Sequence, residues 1–310
     1  MTIVTSGLVE QHIHGAFGVD FMTCGVDDIL FVAQELTKYG VCAFFPTIMT
    51  DDFDVIKKRI NIVKEAKSKA TKRMAQIVGV HLEGPFINPT KAGIHDKNFI
   101  SSLTIENYSK IDDELIKIVT FAPELDTDGS FTEFLKSKDV KLSAGHSVAT
   151  NLDNVNQVTH LYNAMGSFTH RGPSTIVSAL TNDNVYIEII ADSMHVDDDV
   201  LNMTFKQKPI EKVILISDAL PLAHSKEVEM TFAGQKIYNN NGFLTNVDGT
   251  FAGSSMLLAD IVKNLVYKKL LTKEDAIKAA SSNLLNYHNI NNTLNVFWND
   301  LNIIERVEFI

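Results

Sequence analysis

Cysteine is nearly absent from this chain. Cys24 and Cys42 are the only two in 310 residues and they form no C-x-x-C pair, so a disulfide framework and a cysteine-rich metal site are both excluded. They read as buried thiols. Long apolar runs are also missing: no stretch approaches the roughly eighteen residues of a membrane span. The opening MTIVTSGLVE lacks the basic region and apolar core of a secretory leader. A cytoplasmic protein with no membrane partner is expected. Positive charge is scarce, with 28 Lys and Arg against 38 Asp and Glu, and the net charge of -10 argues against nonspecific binding to nucleic acid. Two phosphate-cradling loops are lacking as well. No G-x-G-x-x-G turn follows the first apolar stretch, and no G-x-x-x-x-G-K-[ST] loop occurs anywhere.

What is present is a core of ordinary size, 45% hydrophobic and 21% charged, arranged as a series. Eight short stretches rich in Val, Ile and Phe recur along the chain: residues 2–10, 41–47, 76–83, 117–124, 140–146, 157–163, 185–192 and 213–219. Near-continuous apolar runs of this length are what strands covered on both faces look like. Helical spacing lies between them, as in VDDILFVAQELTKYG, with apolar Val26, Ile29, Leu30, Ala33 and Leu36 and a stop at Gly40. The series predicts an α/β fold, a (β/α)8 barrel, whose usual length of about 250 residues leaves room for insertions. An open doubly wound sheet is the competitor, and the missing phosphate loops weaken it. After the eighth stretch, VEMTFAGQKIYNNNGFLTNVDGTFAG reads as short strands joined by Asn/Gly turns. Two helices follow, the second opening on a Thr272/Asp275 cap, and the tail from about 294 to 310 reads as a small hairpin. Residues 1–310 are therefore expected to form one barrel domain with a small C-terminal β remnant.

In such a barrel the reacting groups sit at the C-terminal ends of the strands. Here the first run ends at His12 and His14, the third at His81 and Glu83, the fifth at His146, the sixth at His160, the seventh at Asp192 with His195 nearby, and the eighth at Asp218. Any one of these is readily a buried structural histidine or a helix cap; six strands closing this way are not explained by packing. Imidazole with carboxylate suits a divalent metal such as zinc or iron. A hydrolytic metal also needs a base close by, and Asp218 is a candidate. Alternation with a period of two puts His12 and His14 on one side of their strand.

At these residues the chain resembles the N-acetylglucosamine-6-phosphate deacetylase family of the amidohydrolase superfamily. The segments GLVEQHIHG, GVHLEGPFINPTKAGIHD, SAGHS, VTHLYNAM, HRGP, IIADSMHV, ISDA and GTFAGS occur in family order over residues 7–254. The resemblance implies a main metal site on Glu83, His146 and His160 and a catalytic acid/base at Asp218. His12 and His14 correspond to the first metal-binding strand, where members carry either other residues and one metal or H-x-H and two, so a second metal is open. Substrate contacts fall on Ile94, His95, Asn163, Ala164, Arg171, His195 and the backbone of Phe251, Ala252 and Gly253. Arg171 offers a fork of donors suited to phosphate.

The implied reaction is metal-dependent removal of the acetyl group from an amino-sugar 6-phosphate in amino-sugar catabolism, with a small phosphosugar as partner and a homodimer as an open assembly. The galactosamine epimer is the alternative substrate, and a noncatalytic sugar-phosphate-binding barrel the alternative class. Retention of Asp218 speaks against the latter, since binding alone needs no base. The chain departs from the family at SGLVEQ, at Ser193 in place of a glycine and at DALPLAH, all in loops that shape the pocket. The small β-domain that members place before the first barrel strand is expected to be missing or reduced to the tail.

Overall fold

The structure, a computed structural model, describes residues 2–310. Eight parallel strands form the central sheet, and we number these barrel strands alone: β1 (Leu8–Ile13), β2 (Val41–Met49), β3 (Val80–Glu83), β4 (Ile116–Phe121), β5 (Lys141–Ala144), β6 (Gln157–Val158), β7 (Tyr186–Ile190) and β8 (Val213–Ile216). They are hydrogen-bonded in chain order from β1 to β8. The ring closes through a parallel bridge between Ile13 and Ala219, with Asp218 N–H donating to His12 O at 3.0 Å and His14 N–H to Ala219 O at 2.9 Å. Nearly every residue of β1, β2, β3 and β8 is buried, which is why they read as unbroken apolar runs rather than alternating ones.

Helices cover the outside. The first, Val26–Lys38, buries Ile29, Val32, Ala33 and Leu36, and the chain turns out of it through Gly40 at φ +74°. The second, Phe53–Lys69, starts on Asp52, whose carboxylate accepts from Asp54 N–H, and carries Lys67 and Lys69 where the helix dipole is negative. Thr272 caps the helix Lys273–Ala280 by accepting from Asp275 N–H, as its spacing predicts. The segment read as one last helix is two, because Ser281 breaks it with φ -138° and Ser282–Tyr287 starts afresh.

The first apolar stretch also proves to be two strands. Only Leu8–Ile13 enters the barrel; Ile3–Ser6 pairs antiparallel with Leu294–Trp298, which in turn pairs with Ile304–Phe309. Gly7 separates them, and a Cβ there would lie 2.4 Å from Cys42 Cβ, so the close pass over β2 requires glycine. Its carbonyl accepts from Ser281 Oγ at 2.7 Å and its N–H donates to Asn292 Oδ1 at 2.9 Å. Trp298 is fully buried in this small sheet, with Nε1–H donating to Thr5 Oγ1 at 2.9 Å. Of the two thiols, Cys42 is buried but Cys24 only half-buried, a partial correction to the sequence reading. Burial raises both to about 12, so both stay protonated.

The Asn/Gly-rich segment after β8 forms a four-stranded antiparallel sheet, Glu229–Phe232, Gln235–Asn240, Phe243–Asn246 and Phe251–Ser254. Its inner residues Phe232, Ile237, Leu244 and Ala252 pack with Met49, Ile94, Leu220 and Leu222 in a second apolar cluster above the barrel mouth. This sheet roofs one side of the cavity described next.

Candidate active site

The strand ends deliver their polar side chains to one point. Glu83, the last residue of β3, is 2% exposed and stands among five imidazoles. Its Oε1 lies 3.1 Å from His146 Nε2, 3.1 Å from His160 Nε2 and 3.4 Å from His12 Nε2; its Oε2 lies 3.3 Å from His14 Nε2 and 3.4 Å from His95 Nε2. Asp218 completes the group, with Oδ1 at 3.1 Å from His14 Nε2 and 3.4 Å from His12 Nε2. His12 and His14 thus face the same way, as the two-residue spacing requires.

The backbone that presents these groups is under tension. His146, His160, Ala164, Ser193 and Asp218 all have positive φ, at 48°, 32°, 49°, 66° and 50°. Such conformations cost on the order of 1 kcal/mol or more in a residue with a Cβ and gather at sites where geometry outweighs local preference. Two glycines open the space the site needs. At Gly84, φ +81°, a Cβ would strike Thr50 Oγ1 at 2.1 Å, and that hydroxyl is bonded to His95 Nδ1 at 2.8 Å. At Gly253, φ +144°, a Cβ would come within 2.7 Å of Asp218 O, so the FAGS strand can lie directly along the loop that carries Asp218.

Charge and burial compete strongly here. Burial alone would raise Glu83, yet the imidazoles crowded around it, His12 foremost, hold it well below the usual carboxylate range. Asp218 is likewise pushed up by burial but held at about 2 by His12 and His14. His14 loses from burial and gains more from Asp218 and Glu83, reaching about 8. On the opposite wall, burial lowers His195, but Asp192, whose Oδ2 lies 2.8 Å from its Nδ1, raises it overall.

The donor set fits a divalent cation. His146 Nδ1 faces the carbonyl of Lys91 at 2.7 Å, and a carbonyl only accepts, so Nδ1 carries the proton and Nε2 offers its lone pair inward. His146 Nε2 and His160 Nε2 are only 3.1 Å apart beside one carboxylate oxygen, three potential ligand atoms close enough to share one cation. Buried His12 Nε2 and Asp218 Oδ1 have no hydrogen-bond partner of good geometry. Two ligand groups, Glu83/His146/His160 and His12/His14/Asp218, therefore lie side by side. A third grouping, His12/His81/Glu188, is of another kind. His81 has both ring nitrogens engaged, by Gln11 O at 2.9 Å and Thr120 Oγ1 at 2.7 Å, so it is a structural histidine.

A cavity of about 240 Å³ opens directly onto these groups. Ile94, His95, Asn163, Ala164, His195, Phe251, Ala252 and Gly253, the substrate contacts named from the sequence, all line it. Arg171 does not. It lies in an exposed loop with Nε–H donating to the ring of neighbouring His170 at 3.1 Å, and within the chain the cavity wall is built without it. Three polar residues the sequence reading passed over support the site. Thr50 holds His95; Glu124 accepts from Asn88 Nδ2, Ser147 Oγ and Val148 N–H and so joins three loops; Glu188 backs His12. Glu188 alone left a signal, an acid in the middle of the apolar run VYIEIIAD.

No family model matches the chain. Individual proteins do. N-acetylglucosamine-6-phosphate deacetylase of Bacillus subtilis is 31% identical over 276 residues, 85% of this chain and 70% of the relative. The enzyme of the same name from Rattus norvegicus is 31% identical over 304 residues, 90% of this chain and 73% of the relative. Among solved structures, N-acetylglucosamine-6-phosphate deacetylase of Thermotoga maritima superposes with a TM-score of 0.90 at 25% identity, covering 99% of this chain and 87% of that one.

Proposed function

The chain belongs to the N-acetylglucosamine-6-phosphate deacetylase family, and from that premise we propose that it hydrolyses the acetamide of N-acetylglucosamine 6-phosphate to glucosamine 6-phosphate and acetate. The observation that carries the reading is the gathering of Glu83, His146 and His160 next to Asp218 on the floor of one cavity. Glu83, His146 and His160 would hold a divalent metal, zinc or iron by the imidazole and carboxylate ligand set, and His12 and His14 with Asp218 would offer a second position beside it. A metal bound there would polarise the amide carbonyl and make water acidic enough to attack near neutral pH.

The remaining steps belong to side chains. Asp218, held in its ionised form, takes the proton released as water adds to the carbonyl carbon and returns it to the nitrogen as the C–N bond breaks, so acetate and a free amine leave. Its oxygen next to His14 and His12 is kept in place by those rings. His195, raised by Asp192, is a donor to the phosphate or a sugar hydroxyl, and Arg171, in its exposed loop, is a second candidate for the phosphate. Asn163, whose Nδ2 has no partner in the protein, and His95 contact the sugar and its acyl arm, while Ile94, Ala164 and the Phe251–Gly253 backbone supply the walls. We place the reaction in cytoplasmic amino-sugar breakdown.

The test is acetate release from a panel of N-acetylated sugars, with and without the 6-phosphate. N-acetylglucosamine 6-phosphate should be turned over, the free sugar much less, and chelation should abolish activity until zinc or iron is restored. Equal specificity constants for the phosphorylated and free sugars would sink the phosphate assignment. Preference for the galactosamine epimer would move the substrate, and binding without turnover would make the barrel a sensor.

A further inference from the structure

Beneath the metal ligands the barrel interior holds a line of polar side chains that no step above uses. Glu188, in the middle of β7, is fully buried. Its Oε1 accepts from two amides, Gln11 Nε2 at 2.5 Å and Gln157 Nε2 at 2.9 Å. Its Oε2 is left facing His12 Nδ1 at 3.2 Å. The orientation of Gln11 is itself fixed, because its Oε1 lies 2.8 Å from His288 Nε2 and its amide nitrogen must then point to Glu188. Gln11 and His12 are adjacent, and a regular strand would send them to opposite faces. The pairing of β1 with β2 shifts between Glu10 and Ile13, and both side chains reach the interior.

We propose that Glu188 is the positioning residue for the second metal: by holding the proton on His12 Nδ1 it keeps His12 Nε2 free as a ligand, and so sets whether this chain binds one metal or two. A carboxylate can only accept, so Nδ1 must donate to it, which leaves the lone pair on the nitrogen that faces Glu83 and Asp218 at 3.4 Å each. A carboxylate behind a metal-bound imidazole fixes both its tautomer and its rotation. Here the carboxylate is locked in turn by two amides, so it cannot swing away without leaving Gln11 and Gln157 without an acceptor. The inference rests on the reading of His12 and His14 as metal ligands, and its test separates the two.

The informative variant is Glu188→Gln, which is isosteric. Because two N–H donors point at Oε1, the new carboxamide oxygen must take that position, and its NH2 then faces His12 Nδ1. That nitrogen becomes an acceptor, and the ring proton moves to Nε2, where a metal would bind. Zinc titration of the whole chain should show two ions per wild-type molecule. In Glu188→Gln the first should bind as in wild type and the second on the order of 10- to 100-fold more weakly. Nitrogen-15 NMR of the zinc-loaded proteins should find His12 Nδ1 protonated in wild type and not in the variant. A second zinc bound with wild-type affinity, or an unchanged Nδ1 proton, overturns the proposal. If wild type takes only one zinc, the two-metal reading fails and the role of Glu188 in metal count fails with it, whereas loss of the Nδ1 proton in the variant still establishes that Glu188 orients the ring. Should Glu188→Gln not fold, Glu188→Asp, which draws the carboxylate back by one methylene, should weaken the second zinc alone.

Discussion

Asp218 and the paired histidines make separable demands at the scale of single residues. Asp218→Asn keeps the shape of the side chain but cannot exchange a proton, so it should retain metal at Glu83, His146 and His160 while turnover falls on the order of 10²–10⁴-fold. Turnover at the wild-type rate would remove Asp218 from the base role. His12→Ala with His14→Ala should lower metal content by up to one ion per chain and leave measurable deacetylation, since the first ligand group and Asp218 both remain. Elemental analysis and kinetics on one preparation decide this; complete loss of activity with one metal kept and the fold intact would show that both ions are required. Much of this site was legible in the sequence, because His and Glu at the ends of apolar runs have few other reasons to recur. Glu188 and Thr50 were not, because their importance lies in what they touch across the barrel, between residues 176 positions apart in one case. Arg171 was legible as a motif, but it sits in an exposed loop that does not line this cavity within the single chain.

Among the elements, the strands were easier to find than to bound. β6 keeps only Gln157–Val158 of the seven residues its apolar pattern suggested, because His160 and Tyr162 already turn through positive φ to reach the site. The first stretch was split at Gly7 by a contact with Cys42 that no local pattern reveals. The small three-stranded sheet shows how an element can matter without touching chemistry. Trp298 fills its center and bonds to Thr5, so Trp298→Ala should cost about 3–5 kcal/mol, in the range for a large buried aromatic. Denaturant unfolding would measure it. Near-normal specific activity in the cold is expected for the molecules that stay folded, because the sheet lies apart from the cavity wall. A variant as stable as wild type would show that the sheet does not brace the barrel.

For the whole molecule, the buried acid Glu10 predicts how stability follows pH. Burial pushes it up to about 8, against hydrogen bonds from Ser217 and His12 N–H and the charge of His12. A folded-state value above the unfolded one means that the folded chain keeps a proton which the unfolded chain gives up. Its contribution is therefore full below the ordinary carboxylate pKa near 4.5 and lost as pH rises through about 8. Chemical unfolding between pH 5 and 8 should show stability falling by on the order of 1 kcal/mol per unit from this group. Glu10→Gln should flatten that slope; an unchanged slope would assign it elsewhere.

The closure of the ring has a bearing on how the chain is made. Of the barrel strands β1 is made before the others, yet it pairs with β8 on one side, and Gly7 at its entrance is tied to Ser281 and Asn292. At roughly 5–20 residues per second, β1 and its two histidines wait on the order of tens of seconds for those partners to emerge. The ring cannot close until β8 and the segment through Asn292 have been made. Nascent chains stalled before residue 281 should therefore remain sensitive to protease along their whole length. Protection should arrive in one step once the segment through Trp298 has cleared the exit tunnel, so the unfinished, strand-rich intermediate needs shelter until that segment emerges.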